Sequence, residues 1–160
     1  QNGWERFEEV VTLTADLTTI ELPDGLDYLP TQDVGRYVDA DIAVHGADPA
    51  GKPALAEIVS AIQPPTGLFV IEDAEDGPLA ATLCVQDNDL AGLMSLAVRA
   101  DRRRQGLGVE LLTSALRWAR MRGARTAWLQ VVADNKAALA LYAKMGFTEA
   151  YRYAYWRKAA

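Results

Sequence analysis

Cysteine and histidine are almost missing from this chain: among its 160 residues Cys84 and His45 stand alone. One thiol cannot build an internal disulfide framework. One imidazole argues against a metal cluster or a His-centred triad, and no metal is expected. No apolar run approaches the roughly 20 residues that a membrane-crossing helix requires, so no membrane partner is expected. The opening Gln1-Asn2-Gly3-Trp4-Glu5-Arg6 has neither the basic nor the apolar region of a secretory leader. Repeats and low-complexity stretches are lacking too. What is present is an ordinary globular composition, 50% hydrophobic and 24% charged, in a length suited to one domain. These features together suggest a cytoplasmic enzyme or binding domain.

Positive charge is scarce in the first part of the chain. Residues 1–90 hold 18 acids against only Arg6, Arg36 and Lys52, a balance of −15. Residues 91–160 hold 13 bases against Asp101, Glu110, Asp134 and Glu149, a balance of +9. Such a split predicts that one half faces an anionic ligand while the other is solvated or meets a cation. The plain alternative is a surface distribution without function. A nucleotide- or nucleic-acid-binding module is the weakest reading, because the pI is near 4.8 and the basic run carries few aromatics. No nucleic acid is expected as a partner.

Periodicity sorts the chain into alternating elements. Residues 9–17 are rich in β-branched side chains and read as a strand. Pro23, Gly25 and Pro30 mark an irregular linker. Helical spacing of Val34, Tyr37, Val38 and Ile42 predicts a helix over 32–44, and Leu55, Ile58, Val59 and Ile62 predict another over 53–62. Three strands, 68–72, 79–86 and 92–98, are separated by Asp76-Gly77-Pro78 and Asp87-Asn88-Asp89, the pattern of an antiparallel meander. Leu107, Leu111, Leu112, Ala115, Leu116 and Ala119 then line one face of a helix over 106–122, with Gly123 as its stop signal. A strand over 126–132, too apolar for an exposed edge, precedes a helix over 135–145. Asn135 starts that helix and Gly146 ends it. The tail 147–156 supplies one or two strands, with Tyr151, Tyr153 and Tyr155 on one face. The order of elements describes a mixed α+β or α/β domain.

The segment from Leu96 to Val109 carries the chemistry. A buried-looking strand runs into Arg102-Arg103-Arg104-Gln105 and then into Gly106-Leu107-Gly108, which opens a helix. A helix start presents about four unpaired N–H groups and roughly +0.5 of an elementary charge. Glycine lets a ligand approach that backbone closely. Together these make a cradle for a pyrophosphate. It is not a P-loop, since Gly-Lys-Ser/Thr is lacking, nor the dinucleotide fingerprint, since the third glycine is replaced. An ordinary helix start with solvated arginines is the competing reading. Downstream lies a second pattern, Asn135-x-x-Ala138-x-x-Leu141-Tyr142-x-x-x-Gly146-Phe147.

Taken together, Arg103-x-x-Gly106-x-Gly108 with its preceding strand and the Asn135–Phe147 pattern resemble the GNAT superfamily of N-acetyltransferases, over roughly residues 66–156. The resemblance implies an α/β (α+β) fold with a mixed, mostly antiparallel central sheet flanked by helices. It also implies a splayed strand pair forming a wedge for acetyl-CoA. Leu96, Ala97 and Val98 then correspond to the strand whose backbone pairs with the pantetheine amides. Arg103, Arg104, Gln105, Gly106, Leu107, Gly108 and Val109 correspond to the pyrophosphate loop. Asn135 corresponds to a polar contact to the cofactor arm, Ala138 to a small residue where the ligand passes, and Tyr142 to the acid that protonates the departing thiolate. A phenol suits that role, its ordinary pKa near 10 keeping it protonated at pH 7 beside a thiol near 8.5. A core aromatic with a locally satisfied hydroxyl is the plain alternative. Ala100 stands where many relatives have proline.

The implied reaction is direct attack of a primary amine of a small molecule or peptide on the thioester. Strand N–H groups such as that of Val98 would steady the developing oxyanion. The base is left open among Asp87, Asp89, Glu72, Asp73 and a water chain. The −15 balance of the first ninety residues predicts a cationic acceptor, and replacing Asp87 and Asp89 is expected to weaken amine use. Cys84 reads as a small core residue and His45 as a cation at a helix end. Trp118, Trp128 and Trp156 read as core or interface. Residues 3–13 loosely resemble the closing strand of a GNAT domain. With the non-Met start, this suggests a 1–20 strand segment left from a preceding domain of a tandem protein, followed by a 21–160 acetyltransferase domain; an ordinary first strand of a trimmed chain is the plain alternative. The alternative function is a non-catalytic acetyl-CoA-binding domain of such a tandem. The aromatic final strand offers a surface for a homodimer.

Overall fold

The computed structural model describes residues 3–25 and 27–160. Along the described chain come β1 (Trp4–Asp16), α1 (Val34–His45), α2 (Lys52–Ser60), β2 (Thr66–Asp73), β3 (Gly77–Asp87) and β4 (Leu90–Val98). They are followed by α3 (Leu107–Met121), β5 (Thr126–Val132), α4 (Lys136–Lys144) and β6 (Thr148–Lys158). All these strands join one sheet in the order β2-β3-β4-β5-β1-β6, antiparallel except for the parallel β4–β5 pair. The mixed, mostly antiparallel sheet expected from the sequence is present. No described helix is long and apolar enough to cross a membrane.

Strand alternation sends side chains to two covered faces. In β2, Phe69 and Ile71 belong to the core built on the α3 leucines, whereas Leu68 and Val70 belong to the core around Tyr37, Val38 and Ile42 of α1. Helices therefore cover both sides, α1 and α2 on one, α3 and α4 on the other. That double covering explains why β2 reads as a nearly unbroken apolar run. On α3 the expected face is fully buried at Leu111, Leu112, Ala115, Leu116 and Ala119. The helix predicted from residue 32 starts at Val34, because the Asp33 side chain accepts from the Arg36 N–H at 3.0 Å and caps it.

The first strand departs most from local expectation. It extends back to Trp4 and lies between β5 and β6, pairing along Val10–Asp16 with one and along Trp4–Thr14 with the other. Residues 4–8 have no propensity that fixes their length as a strand; pairing with β6 supplies it. Past the end of β5 the two chains continue as a ribbon that exposes Trp4, Phe7 and Trp156, so Trp156 is not core. Trp118, by contrast, packs edge-on against Phe69 at 5.9 Å.

β4 and β5 part company midway. Their pairing covers Leu90–Leu93 against Thr126–Leu129 and stops there, although both strands continue. Two local features accompany the parting. Ser95 sits at φ 58° where the β3–β4 register shifts, a bulge that bends and twists its strand. Trp128 lies across Gly92, where an added Cβ would fall 2.8 Å from its Cζ2 atom. Thr82 Oγ1 donates to the Met94 carbonyl at 3.0 Å and holds the bulge against β3.

Candidate active site where two strands diverge

The gap between β4 and β5 opens into a cleft of about 400 Å³. Its walls are Met94, Ser95 and Leu96 of β4, Trp128 to Val132 of β5, Leu112 of α3, and Asn135, Ala138 and Tyr142 at α4. A second hollow of about 380 Å³ lies under Pro30 and Pro65 beside Trp118. Its one charged lining group, Arg122, stacks over Trp118 at 5.3 Å, so it offers no convergent chemistry.

Backbone groups are the first feature of the cleft. The Arg99 N–H donates to the Leu79 carbonyl at 2.8 Å, and Val98 is registered with Ala80. Alternation in an antiparallel ladder then leaves the Val98 N–H on the side from which β5 has withdrawn. Ala97 points its side chain to the α1 face instead. The divergence thus leaves an interior sheet edge on which the Val98 N–H is unspent, while its carbonyl receives only the Arg103 Nε at 3.4 Å.

Tyr142 is the second. Its ring is buried against Phe147, 5.9 Å between centroids, and burial pushes the phenol up to about 12. Among the described residues nothing bonds its hydroxyl, so a locally satisfied core tyrosine is the wrong description. Asn135 Oδ1 accepts from the Ala138 N–H at 3.1 Å and caps α4. Its oxygen is thereby committed to the helix, which leaves the amide nitrogen for any ligand.

The third feature is the start of α3. Gly106 occupies the left-handed region at φ 80° with no side-chain cap, so the first N–H groups of a 15-residue helix are unclaimed by side chains. Arg104 is also left-handed, at φ 64°. Of the arginine run, Arg102 is paired with Asp76. Arg103 reaches only the Val98 carbonyl at 3.4 Å. Arg103 and Arg104 have no ion-pair partner among the described residues, and Gln105 is exposed beside them. Leu107 and Val109 pack inward on the core. Gly108 lets the helix start abut Val98 and Leu141, in ordinary van der Waals range of an added Cβ. Glu110, the acid in this first turn, lies 3.1 Å from the Tyr28 hydroxyl that donates to it.

Two expectations change. Asp87 and Asp89 sit at the paired end of β4, where the Asp89 carbonyl accepts from the Arg125 and Thr126 N–H groups. They lie away from the cleft and are unsuited to proton transfer there. Glu72 binds Arg36 at 3.0 Å, and Asp73 caps the β2–β3 turn. The charge split is also partly internal: Arg102–Asp76, Arg117–Asp27, Arg152–Glu9 and Arg157–Glu5 join the basic half to the acidic half. Cys84 is buried, its thiol pushed up to about 12, as befits a core residue.

Sequence reading passed over Asp41 and Ser95. Asp41 is buried on α1, where Ser95 Oγ donates to its Oδ1 at 2.8 Å. An acid one turn after Tyr37, within a stripe of apolar residues, was the available signal.

A sheet split this way, with a free strand edge and an uncapped helix start beside it, is the architecture of a mixed α/β domain whose cleft offers backbone groups to an extended, anionic ligand. Comparison with known proteins agrees. Residues 37–147 match the Acetyltransferase (GNAT) family. The chain is 32% identical over 165 aligned positions to mycothiol acetyltransferase of Streptomyces coelicolor, covering 91% of this chain and 52% of that protein. It is 44% identical over 77 residues to the ribosomal protein bS18-alanine N-acetyltransferase of Escherichia coli K12, 48% of this chain and 52% of the relative. A GCN5-related N-acetyltransferase from Sphaerobacter thermophilus shares the fold at TM-score 0.76 and 17% identity, over 98% of this chain and 53% of that one. The chain belongs to the GNAT acetyltransferase family. It spans about half the length of the curated relatives it matches.

Proposed function

We propose that the chain transfers an acetyl group from acetyl-CoA to a primary amine of a small molecule or peptide. The observation that carries this reading is the coincidence of an unpaired β4 edge and the partnerless Tyr142 hydroxyl in one cleft. The residues fit the ligand at three places. The free edge at Leu96–Val98 suits the pantetheine amides, as a neighbouring strand would. The uncapped start of α3 with Arg103 and Arg104 suits the pyrophosphate. Ala138 leaves room beside the Asn135 amide.

The chemistry then asks three things of this chain. The Val98 N–H, unspent in the ladder, donates to the developing oxyanion. The cleft holds amine and thioester together, converting a bimolecular encounter into a local one. Tyr142 gives its proton to the departing sulfur. A phenol near 12 does not surrender a proton spontaneously to a thiolate whose acid is near 8.5. It does so as the amine nitrogen sheds a proton at the same collapse and restores it, so the tyrosine ends as it began.

The names of the two curated relatives point to a ribosomal protein alanine in one case and to mycothiol in the other. For this chain we favour a cationic amine, given the −15 balance of residues 1–90, of which only part is met by arginines of the second half. Calorimetry with acetyl-CoA, followed by thiol release with a panel of amines, aminoglycosides and peptides, tests the reading. Binding with turnover supports it. Binding without turnover favours a non-catalytic domain, and no binding overturns it.

A further inference from the structure

The amine must lose a proton, and neither the meander-turn acids nor Glu72 is placed to take it. One carboxylate is. On the α1 side of the sheet, Asp41 is buried, and its Oδ1 accepts from Ser95 Oγ at 2.8 Å. Ser95 is itself exposed in the cleft wall at the β4 bulge, two residues beyond the last β4–β5 pair. Its φ of 58° is a conformation that a serine rarely holds without a reason. Tyr37 Oη also donates to Asp41 Oδ1, at 3.4 Å. His45 closes the outer side, its Nδ1 3.4 Å from Asp41 Oδ1 and donating to the Asp41 carbonyl at 2.8 Å. The other elements packed on α1 present apolar side chains here: Leu55 and Val59 of α2, Leu68 and Val70 of β2, Ala81 and Leu83 of β3.

Resting on the acetyl-transfer reading above, we propose that Asp41 is the proton acceptor for the attacking amine and that Ser95 connects it to the cleft. An ammonium group entering beside Ser95 passes one proton to Ser95 Oγ as the serine proton moves to Asp41. The carboxylate becomes a carboxylic acid and the nitrogen gains its lone pair. That lone pair forms the N–C bond, the C–S bond breaks, and the sulfur and nitrogen exchange protons through Tyr142. After release, Asp41 loses its proton to water past the partly exposed His45. The balance is one amide, one thiol and one proton. Tyr37, held neutral by its burial beside the carboxylate, orients Asp41 and is a positioning residue.

The test is the pH profile of kcat/KM for the fastest of spermidine, alaninamide and N-acetyl-lysine amide, in wild type, Asp41→Asn and Ser95→Gly. Asparagine preserves shape and can still accept from Ser95, while glycine suits the φ and removes the hydroxyl together with its Cβ. Wild type, binding the ammonium form, is expected to be flat from about pH 6 to the amine's own pKa. Each variant, limited to free amine, should rise about tenfold per pH unit and fall at least 100-fold below wild type at pH 7, for an amine near 10.4. Acetyl-CoA affinity should stay within about threefold. A loss that is the same at every pH, or no loss, overturns this assignment while leaving acetyl transfer intact. Wild-type protein that binds no acetyl-CoA, or turns over none of these amines, overturns the reading beneath it as well.

Discussion

Replacing Tyr142 by Phe deletes one hydroxyl and keeps the ring. That ring stays buried against Phe147, and no described group bonds the hydroxyl, so nothing is orphaned by its loss. Stability near neutral pH should therefore change by no more than about 0.5 kcal/mol. Catalysis should respond far more. A positioned general acid contributes about 10²–10⁴ in rate, or about 3–5 kcal/mol of barrier, so kcat should fall by that factor while acetyl-CoA affinity holds. Alkaline stability gives an independent reading. Burial holds the folded phenol near 12 against its ordinary value of 10, so below pH 10 both states keep the proton. Between the two values only the unfolded chain releases it, and stability falls as pH rises. Wild type should lose about 2 kcal/mol relative to the Phe variant between pH 9 and 11.5, read from paired urea titrations. Tyr37 and Cys84, also raised by burial, lose alike in both proteins and cancel. A kcat within threefold of wild type would remove Tyr142 from proton transfer, and parallel alkaline losses would show that its hydroxyl meets water freely.

Changing Arg103 and Arg104 together to Ala should weaken acetyl-CoA binding by roughly 10–100-fold in calorimetry, with the gap narrowing as salt is added. Gly92→Ala puts a Cβ 2.8 Å from the Trp128 indole, so it should cost about 1–3 kcal/mol in melting and alter tryptophan emission. Asp87→Asn and Asp89→Asn should leave amine kcat/KM within about twofold of wild type, because Ser95 lies five residue steps along β4 from Leu90. That is about 16 Å, beyond a Debye length of about 8 Å.

Much of this molecule was legible before its fold. The helix over α3 followed from the spacing of six residues, five of them fully buried and Leu107 half-buried, and β5 from an apolar stretch that does lie inside the sheet. Gly106 and Asn135 announced two helix starts, since capping and left-handed backbone are chemistry of a few adjacent residues. The placement of Tyr142 on a short helix after β5 was legible too, from the spaced pattern that runs from Asn135 to Phe147.

Other features depend on residues far apart in sequence. Asp41 and Ser95 are 54 positions apart, and neither segment alone hints at the other. The ion pairs that bind the basic half to the acidic half turned a net-charge argument into a partly structural one. By itself the sequence determined most of the local elements, the starts of α3 and α4 and the interior place of β5, because periodicity and backbone preference act within a few residues. Only the tertiary structure decided that β1 lies between β5 and β6, that β4 and β5 separate after Leu93, and that a buried carboxylate stands behind the opening. Strand order, divergence and polar networks are set by which surfaces meet, and no short-range preference specifies them.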